Sequence, residues 1–327
     1  MTVSRNAPTG PSPFRVEACA LPRAKFTDPA VTAAGEARAH VPLVALDTLW
    51  FNTGTLCNLA CANCYIESSP TNDALVYLAA TDVAGYLDAI ERDRLPTREI
   101  GFTGGEPFMN PQFLAMLDDA LSRGHDALVL SNAMKPMRRH EQALLVLYAN
   151  YGHRLTLRIS LDHYSPIVHE AERGPRSFAI ALDGLAWLSN HGFSIAVAGR
   201  HLAQETDSVA RAGYAALFAD RGIALDAHDP ARLVLFPEMD AHADVAEITT
   251  ACWSILGRSP ADMMCATSRM VVHRKGEAAP RVAACTLIPY DPGFDLGATL
   301  AEASRDVSLN HPHCARFCVL GGASCSA

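Results

Sequence analysis

The sequence predicts an α/β protein organised around a parallel β-sheet. Apolar, strand-like runs alternate with helical segments six times, and polar or glycine-rich residues follow several of these strands. A chain of 327 residues, of which 49% are hydrophobic, can bury the core that such a sheet needs. We predict three parts: an extended or partly ordered N-terminal arm over residues 1–41, the strand and helix region over 42–258, and a small cysteine-rich extension over 259–327.

The predicted elements follow in chain order. The first strand is an apolar run that ends at Phe51, and Thr81 and Asp82 cap the helix that follows a cysteine-containing loop. The second strand covers 98–102, and an Asn-Pro pair at 110–111 supplies the cap and first-turn proline of the next helix. Later strands are predicted at Ala127–Leu130, Leu155–Leu161, Ser194–Ala198 and Leu233–Phe236, with helices over 141–148, 178–188 and 208–220. Parallel strands share one carboxyl-end rim, so an active site is expected there.

Composition and charge exclude several classes of protein. The net charge is −8, and Lys25, Lys135 and Lys275 are the only lysines, so no basic stripe is available to follow a nucleic acid. No apolar stretch is long enough to span a membrane, and the N-terminus does not have the pattern of a signal peptide. We therefore expect a cytoplasmic protein with no nucleic-acid or membrane partner, in which cysteines stay reduced.

Three cysteines in one short loop are the most informative feature of the chain. Cys57, Cys61 and Cys64 have three and then two residues between them, and Tyr65 follows directly. Three thiolates can hold three corners of a four-iron cluster, whereas electron-transfer clusters use four. The fourth iron would then be open to a substrate or cofactor. The alternative is half of a zinc site with a ligand supplied from elsewhere.

This cysteine spacing, followed by the motifs at the later strand ends, resembles the radical S-adenosylmethionine (SAM) superfamily over about residues 42–240. The resemblance implies a partial (β/α)6 TIM-like barrel. It also implies that Cys57, Cys61 and Cys64 ligate a [4Fe-4S] cluster whose open iron binds SAM. Reductive cleavage of SAM at that cluster gives a 5'-deoxyadenosyl radical that abstracts hydrogen from the substrate.

The run Gly104, Gly105, Glu106 and Pro107 resembles the strand-two motif that receives the amino group of SAM in this superfamily. Glycines let the backbone approach a ligand closely, and a carboxylate accepts a charge-assisted hydrogen bond from an ammonium group. An ordinary turn is the alternative for two adjacent glycines. Their position at the end of a strand, after the cysteine loop, favours the SAM site.

Two polar pairs match the positions of family residues that bind the ribose or carboxylate of SAM. Ser131 and Asn132 follow the third predicted strand, and Ser160 and Asp162 stand at the end of the fourth. Each residue type is also common as a helix cap or in a turn, so that alternative stays open for every one of them.

Three further residues complete the predicted cofactor site. Arg173 resembles an arginine that reaches the SAM carboxylate in relatives with this strand-four pattern, and a solvated surface arginine is the alternative. Tyr65 and Leu235 are candidate neighbours of the adenine, although both also suit a hydrophobic core. No catalytic residue can be assigned from the sequence.

The extension carries Cys265, Cys285, Cys314, Cys318 and Cys325, and it resembles the twitch or SPASM extensions that bind auxiliary clusters. The cysteines suffice for one additional [4Fe-4S] cluster. We prefer Cys265, Cys285, Cys318 and Cys325 as ligands, with Cys314 as the competitor for one of these positions. Cys314 and Cys318 have three intervening residues where two are usual, so the choice among the five cysteines stays open. Zinc is the alternative metal. The remaining pair, Cys19 and Cys252, is predicted to be buried.

These features together favour a radical SAM oxidoreductase or maturase that modifies a peptide or a small molecule by hydrogen abstraction, in an oxidative reaction. A flavodoxin or ferredoxin-type protein is the expected electron donor. The alternative is a protein without turnover, either an iron-sulfur electron carrier or a zinc-stabilised binding protein. A SAM pocket would have no use in such a protein, and the strand-end motifs therefore favour the enzyme.

Overall fold

The computed structural model describes residues 7–15 and 18–323, and within them it contains ten strands and eight α-helices. The strands are β1 (His40–Val41), β2 (Thr48–Asn52), β3 (Glu99–Thr103), β4 (Asp126–Ser131), β5 (Leu155–Ser160), β6 (Ser194–Gly199), β7 (Leu233–Leu235), β8 (Ser268–Val272), β9 (Arg281–Ala283) and β10 (Val307–Ser308). The helices are α1 (Ala80–Asp93), α2 (Phe113–Ser122), α3 (Lys135–Arg138), α4 (Glu141–Tyr151), α5 (Pro166–Arg173), α6 (Ser177–Asn190), α7 (Asp207–Asp220) and α8 (Cys252–Leu256).

One sheet of eight strands organises the molecule, in the order β7-β6-β5-β4-β3-β2-β8-β9. Strands β2 to β7 are all parallel to their neighbours, which confirms the predicted α/β fold with six parallel strands. The C-terminal part adds β8, parallel to β2, and β9, antiparallel to β8. The predicted boundary between residues 258 and 259 therefore falls before two strands that continue the same sheet; as a division into domains it stays a prediction.

The central strands are covered on both faces, as parallel strands in α/β proteins are. All five residues of β2 are buried, including Trp50 and Phe51, which are fully shielded from solvent. Gly101 of β3 lies directly against Trp50: a Cβ atom there would stand 2.3 Å from the indole ring. The close approach of the two strands at this pair therefore requires glycine.

Two helix starts differ from the prediction. Helix α1 begins at Ala80, so Thr81 lies inside the helix and is not its cap; Asp82 does cap it, because its carboxylate accepts a hydrogen bond from the Ala79 N–H at 2.9 Å. Helix α2 begins at Phe113, because residues 107–109 form a short 3₁₀ turn after β3. The carboxamide oxygen of Asn110 accepts the Gln112 N–H at 2.9 Å, which makes the Asn-Pro pair part of the connection.

The N-terminal arm, predicted to be extended or partly ordered, is folded against the body of the protein over its described residues. Phe26 and Ala39 are buried, and β1 pairs with β10. Arg38 and Glu247 form an ion pair at 2.5 Å in which the arginine side chain is 1% exposed. Residues near the two ends of the described chain thus share one core.

The prediction that Cys19 and Cys252 are buried is wrong. Cys19 is exposed because it lies in the N-terminal segment that crosses the surface, and Cys252 is partly exposed at the start of the short helix α8. Within the described residues, no helix has both the length and the apolar character needed to cross a membrane.

Candidate functional site

A cavity of about 160 Å³ lies where β3, β4, β5 and β6 reach their carboxyl ends. It brings together most of the residues that the sequence analysis singled out. Those that line it are Cys57, Cys61, Cys64, Tyr65, Gly104, Gly105, Ser131, Asn132, Ser160, Asp162 and Arg173. Glu106, Pro107 and Leu235 are not part of the lining.

The cysteine loop is held in place by two glutamates from outside it. The backbone N–H of Asn63 donates to the carboxylate of Glu172 at 3.0 Å, and its side-chain amide donates to Glu238 at 2.6 Å. Arg200, which follows β6, contacts the same two carboxylates at 3.4 and 3.1 Å. The loop is therefore fixed between α5 and the segment after β7 before any ligand binds.

The three thiols of the loop are preorganised as ligands. The Leu59 N–H points to the Cys57 sulfur at 3.4 Å, and the Ser68 N–H points to the Cys64 sulfur at 3.3 Å. Burial raises the pKa of both Cys57 and Cys61 to about 12, so these groups are neutral thiols at pH 7. A bound metal would deprotonate them, and backbone N–H groups already face two of the sulfurs that would then carry charge.

Glu106 lies directly behind the cavity wall and is 1% exposed. Its carboxylate accepts hydrogen bonds from the Ser131 hydroxyl at 2.9 Å, the Asn132 N–H at 2.9 Å and the Phe108 N–H at 3.3 Å. Burial nevertheless raises the pKa of Glu106 to about 7, against the effect of these donors. Ser131 and Asn132, predicted as contacts of SAM, thus bind the Glu106 carboxylate. Glu106 itself changes charge near neutral pH.

The glycines of this motif are needed for close contact between β3 and the cysteine loop. Gly104 has φ of +140°, a conformation that other residues rarely adopt. A Cβ atom on Gly105 would stand 2.3 Å from the carbonyl oxygen of Leu56. The Gly105 N–H donates to Gly54 at 2.8 Å, and the Glu106 N–H donates to Leu56 at 3.2 Å. The pair therefore joins the motif to the loop rather than forming an isolated turn.

Asp162 and Arg173 form a bidentate ion pair at the cavity wall. The guanidinium of Arg173 donates to the two carboxylate oxygens at 2.5 and 3.2 Å. Burial acts to raise the pKa of Asp162, but Arg173 and Arg200 outweigh it and hold that pKa well below its usual range. The sequence analysis treated Asp162 and Arg173 as separate contacts, whereas here they form one charged unit.

Of three further residues predicted for the cofactor site, Tyr65 lies at the cavity, whereas Leu235 and Pro107 do not. Tyr65 lines the cavity, whereas Leu235 ends β7 and packs against the core; its neighbour Phe236 lines the cavity instead. Pro107 is buried at the start of the turn after Glu106, where it shapes the backbone. Leu235 is therefore a core residue and Pro107 a turn residue, which are the alternatives to a role in binding SAM.

A second group of thiols surrounds another cavity, of about 20 Å³, in the C-terminal part. Cys265, Cys285, Cys314 and Cys318 all line it, and burial raises the pKa of Cys265 to about 11. The fifth candidate, Cys325, lies outside the described residues. The structure thus groups Cys314, which we had ranked as the competitor, with three of the preferred ligands.

A π-helix over Cys314–Leu320 explains how this spacing works. A π-helix closes its hydrogen bonds between residues five apart, and residues four apart lie on nearly the same side of it, as they do in an α-helix. Cys314 and Cys318 can therefore face one cavity with three intervening residues. Within the described chain this is the one π-helix, and such segments are frequent at functional sites.

A buried cation stands beside these thiols. Arg269 is 1% exposed, and its guanidinium donates only to carbonyl oxygens: Cys265 at 2.5 Å, Ser268 at 2.8 Å, Ala303 at 2.9 Å and Arg305 at 3.2 Å. In the described residues no carboxylate lies within ion-pair distance of it. A cluster held by four thiolates is negatively charged, so the donor set and this cation both suit such a group.

Among the residues described, no group of three or more His, Cys, Asp or Glu side chains converges as the ligands of a single metal ion would. The thiols of each set line a cavity instead. A four-iron cluster is larger than one ion, and its ligands stand around it. Zinc stays the alternative metal for both sets.

Sequence reasoning missed the charged groups that support the site. Arg200 follows a predicted strand directly, so its position at a strand end was an available signal. Glu172 and Glu238 act on the loop from a distance in sequence, and only the fold brings them to Asn63. Arg158, buried on β5, also lines the cavity; its alternation with Ser160 and Asp162 along the strand could have shown that they share a face.

Comparison with known proteins agrees with this geometry. Residues 51–208 match the family model of the radical SAM superfamily. The antilisterial bacteriocin subtilosin biosynthesis protein AlbA of Bacillus subtilis (strain 168) is 33% identical over 169 residues, which cover 51% of this chain and 35% of AlbA. The mycofactocin maturase MftC of Mycolicibacterium smegmatis is 31% identical over 138 residues, covering 42% of this chain and 33% of MftC. The chain thus spans about a third of the length of these relatives.

Two solved structures share the fold. SuiB of Streptococcus suis, bound to S-adenosylmethionine, matches with a TM-score of 0.55 at 11% identity, covering 78% of this chain and 64% of SuiB. The enzyme anSMEcpe, with bound AdoMet, matches with a TM-score of 0.55 at 13% identity, covering 78% and 79%. These matches confirm the predicted partial barrel. The family match covers the cysteine loop and the strand-end motifs, and it identifies residues 51–208 as a radical SAM domain.

Proposed function

We propose that this chain is a radical SAM maturase that abstracts a hydrogen atom from a peptide substrate during an oxidative modification. The observation that carries the proposal is the single cavity shared by the three loop thiols, the glycine pair and the polar strand ends. The cofactors of the superfamily are a [4Fe-4S] cluster and SAM, and relatives of the SPASM type add auxiliary clusters. When bound, the cluster and SAM supply a 5'-deoxyadenosyl radical for hydrogen abstraction.

The residues of this chain would hold those groups as follows. Cys57, Cys61 and Cys64 ligate the cluster. The backbone of Gly104 and Gly105 approaches the methionine part of SAM, and Glu106 compensates the charge of its amino group. Ser131 and Asn132 keep the Glu106 carboxylate in place with the hydrogen bonds described above.

The remaining polar wall suits the carboxylate and ribose of SAM. Ser160 offers a hydroxyl at the end of β5, and the Arg173–Asp162 pair presents a fixed guanidinium next to it. Because Asp162 uses the Nε and one Nη of Arg173, the other Nη remains the natural donor to a ligand carboxylate. Tyr65 and Phe236 provide aromatic surface for the adenine in the same cavity.

Apolar side chains complete the cavity and exclude water from the reacting groups. Met239, Leu287 and Phe317 come from the segments after β7 and from the C-terminal part. A radical intermediate needs such shielding from solvent. The C-terminal part therefore contributes directly to the wall of the proposed active site.

The relatives support a peptide substrate. One is named for the biosynthesis of a bacteriocin and the other as a maturase. A small-molecule substrate is the second candidate. Peptides encoded by short reading frames beside that of this chain are the probes to use: the expected result is faster 5'-deoxyadenosine formation with one peptide than without it. Stimulation by small metabolites alone would contradict a peptide substrate.

We further propose an auxiliary [4Fe-4S] cluster held by Cys265, Cys285, Cys314 and Cys318. Ligation by four thiolates leaves no iron for the substrate, so its role would be electron transfer, which suits an oxidative modification. A flavodoxin or ferredoxin-type donor would supply the electron for SAM. These clusters need a reducing compartment, and we propose the cytosol.

The deciding experiment is iron and sulfide analysis with Mössbauer spectroscopy after anaerobic reconstitution. Wild-type protein should hold about eight irons, and a Cys57/Cys61/Cys64 triple Ala variant about four. Dithionite-reduced wild type should form 5'-deoxyadenosine and the variant should not. Normal cleavage of SAM by the variant would refute the assignment of the loop. Iron without SAM cleavage would favour an electron carrier, and zinc in place of iron would favour a binding protein.

A further inference from the structure

One polar side chain shares the C-terminal cavity with the four thiols. Among the described residues that line it, all others except the cysteines are apolar, and the exception is His313. It directly precedes Cys314, at the start of the π-helix. Its position is not explained by ligation, since four thiols already suffice for a four-iron cluster.

The imidazole of His313 is buried and incompletely paired. The residue is 6% exposed, and Nδ1 has no hydrogen-bond partner within the described structure. The surrounding loop is nevertheless ordered by local contacts: the His313 backbone N–H donates to Nδ1 of His311 at 3.1 Å, and the two rings lie 4.7 Å apart. A buried polar nitrogen without a partner is costly, so such a group usually meets a ligand, an ion or a water molecule.

We propose that Nδ1–H of His313 donates a hydrogen bond to a sulfur of the auxiliary cluster and thereby raises its reduction potential. The inference rests on the auxiliary cluster of the proposed function. Reduction adds negative charge to the cluster, and a hydrogen bond to sulfur stabilises the more negative state. His313 is thus a positioning and tuning residue: it sets how readily the cluster accepts an electron without binding iron itself.

The test is a redox titration of the reconstituted full-length chain, followed by electron paramagnetic resonance. The Cys57/Cys61/Cys64 triple Ala background isolates the auxiliary signal. His313→Leu should keep the iron content of this background and shift the midpoint potential of the cluster to a more negative value. His313→Asn retains an N–H donor of similar reach and should restore part of the shift. His311→Leu is the matched control, because it perturbs the same loop but removes nothing from the cavity wall.

Three outcomes would overturn the inference. An unchanged potential in His313→Leu would show that the histidine does not act on the cluster. An equal shift in His311→Leu would assign the effect to the loop. Loss of the auxiliary irons in His313→Leu would make the residue a ligand or a structural element. If the triple Ala background holds no cluster at all, the auxiliary cluster itself is refuted and the inference falls with it.

Discussion

At the scale of single residues, Glu106 combines two properties that rarely occur together. It is almost fully buried, yet three donors hold its carboxylate in one orientation. Burial disfavours its charge, and the donors favour it. The proposed partner, an ammonium group of SAM, would complete the compensation.

We expect Glu106→Gln to weaken SAM binding by about 10- to 100-fold, because a hydrogen bond between charged groups contributes about 1.5–3 kcal/mol. Glutamine keeps the size of the side chain and removes the charge. Equilibrium binding of SAM to reconstituted protein measures the effect, with Glu99→Gln, at the start of the strand that precedes Glu106, as the control. An unchanged dissociation constant would make Glu106 a purely structural residue.

SAM affinity should also depend on pH. The pKa of Glu106 lies at about 7, so the carboxyl group is charged above that value and neutral below it. If SAM binds the charged form, its dissociation constant rises as pH falls from 7 to 5.5, by up to about tenfold per pH unit. The same titration of Glu106→Gln should be flat. Cluster absorbance at each pH serves as the control for intact protein, and a flat wild-type curve would contradict the assignment.

At the scale of elements, the π-helix over Cys314–Leu320 contributes two cysteines to one cavity. It presents Cys314 and Cys318 to the cavity that Cys265 and Cys285 also line. The sequence showed the cysteines but not the helix type. The spacing departs from the usual motif, so the ligand set could not be chosen from the sequence alone.

Cys314→Ala should lose the auxiliary irons, about four per chain, and keep the SAM cluster. Iron analysis with Mössbauer spectroscopy measures this, and Cys252→Ala is the control because Cys252 lies outside both cavities. Cys325→Ala should retain all the iron. Loss of iron in Cys325→Ala together with full iron in Cys314→Ala would restore the ligand set that we preferred from the sequence.

Most of the fold could be predicted because apolar periodicity marks long elements well. Helix α5 was missed for a physical reason: its buried residues are His169 and Glu172, so no apolar stripe marks it. The hydrogen bond that supports the cysteine loop could not be predicted either, because Glu172 and Asn63 lie more than a hundred residues apart in the sequence. Local motifs identify ligands readily, whereas charged networks between distant segments depend on the fold.

At the scale of the whole molecule, the buried pair Arg38–Glu247 joins the N-terminal arm to the body. Glu247 also accepts the backbone N–H groups of Phe26 and Ala33, each at 2.7 Å. Burial acts to raise the pKa of Glu247, but these donors and Arg38 outweigh it, and the pKa is lowered. The pair therefore stabilises the protein above the unfolded pKa of glutamate and loses this effect as pH falls through the folded pKa.

Arg38→Met should destabilise the protein by about 3–5 kcal/mol at pH 7, because it leaves a buried carboxylate without its cation. Chemical denaturation of the full chain measures the change. Arg92→Met is the matched control, because Arg92 pairs with Asp93 on the surface, where an ion pair contributes little to the free energy of unfolding. Equal effects of the two variants would show that the arm contributes little to the core.

The pairing of β8 with β2 has a further consequence for the use of this chain in the laboratory. Residues 48–51 hydrogen-bond to β8 on one side and to β3 on the other. A chain ending at residue 258 would expose the backbone donors and acceptors of β2 along that side. An open edge of a fully buried central strand is a template for intermolecular pairing. We therefore expect the cysteine-rich extension to protect the barrel from aggregation, and its removal to yield insoluble protein.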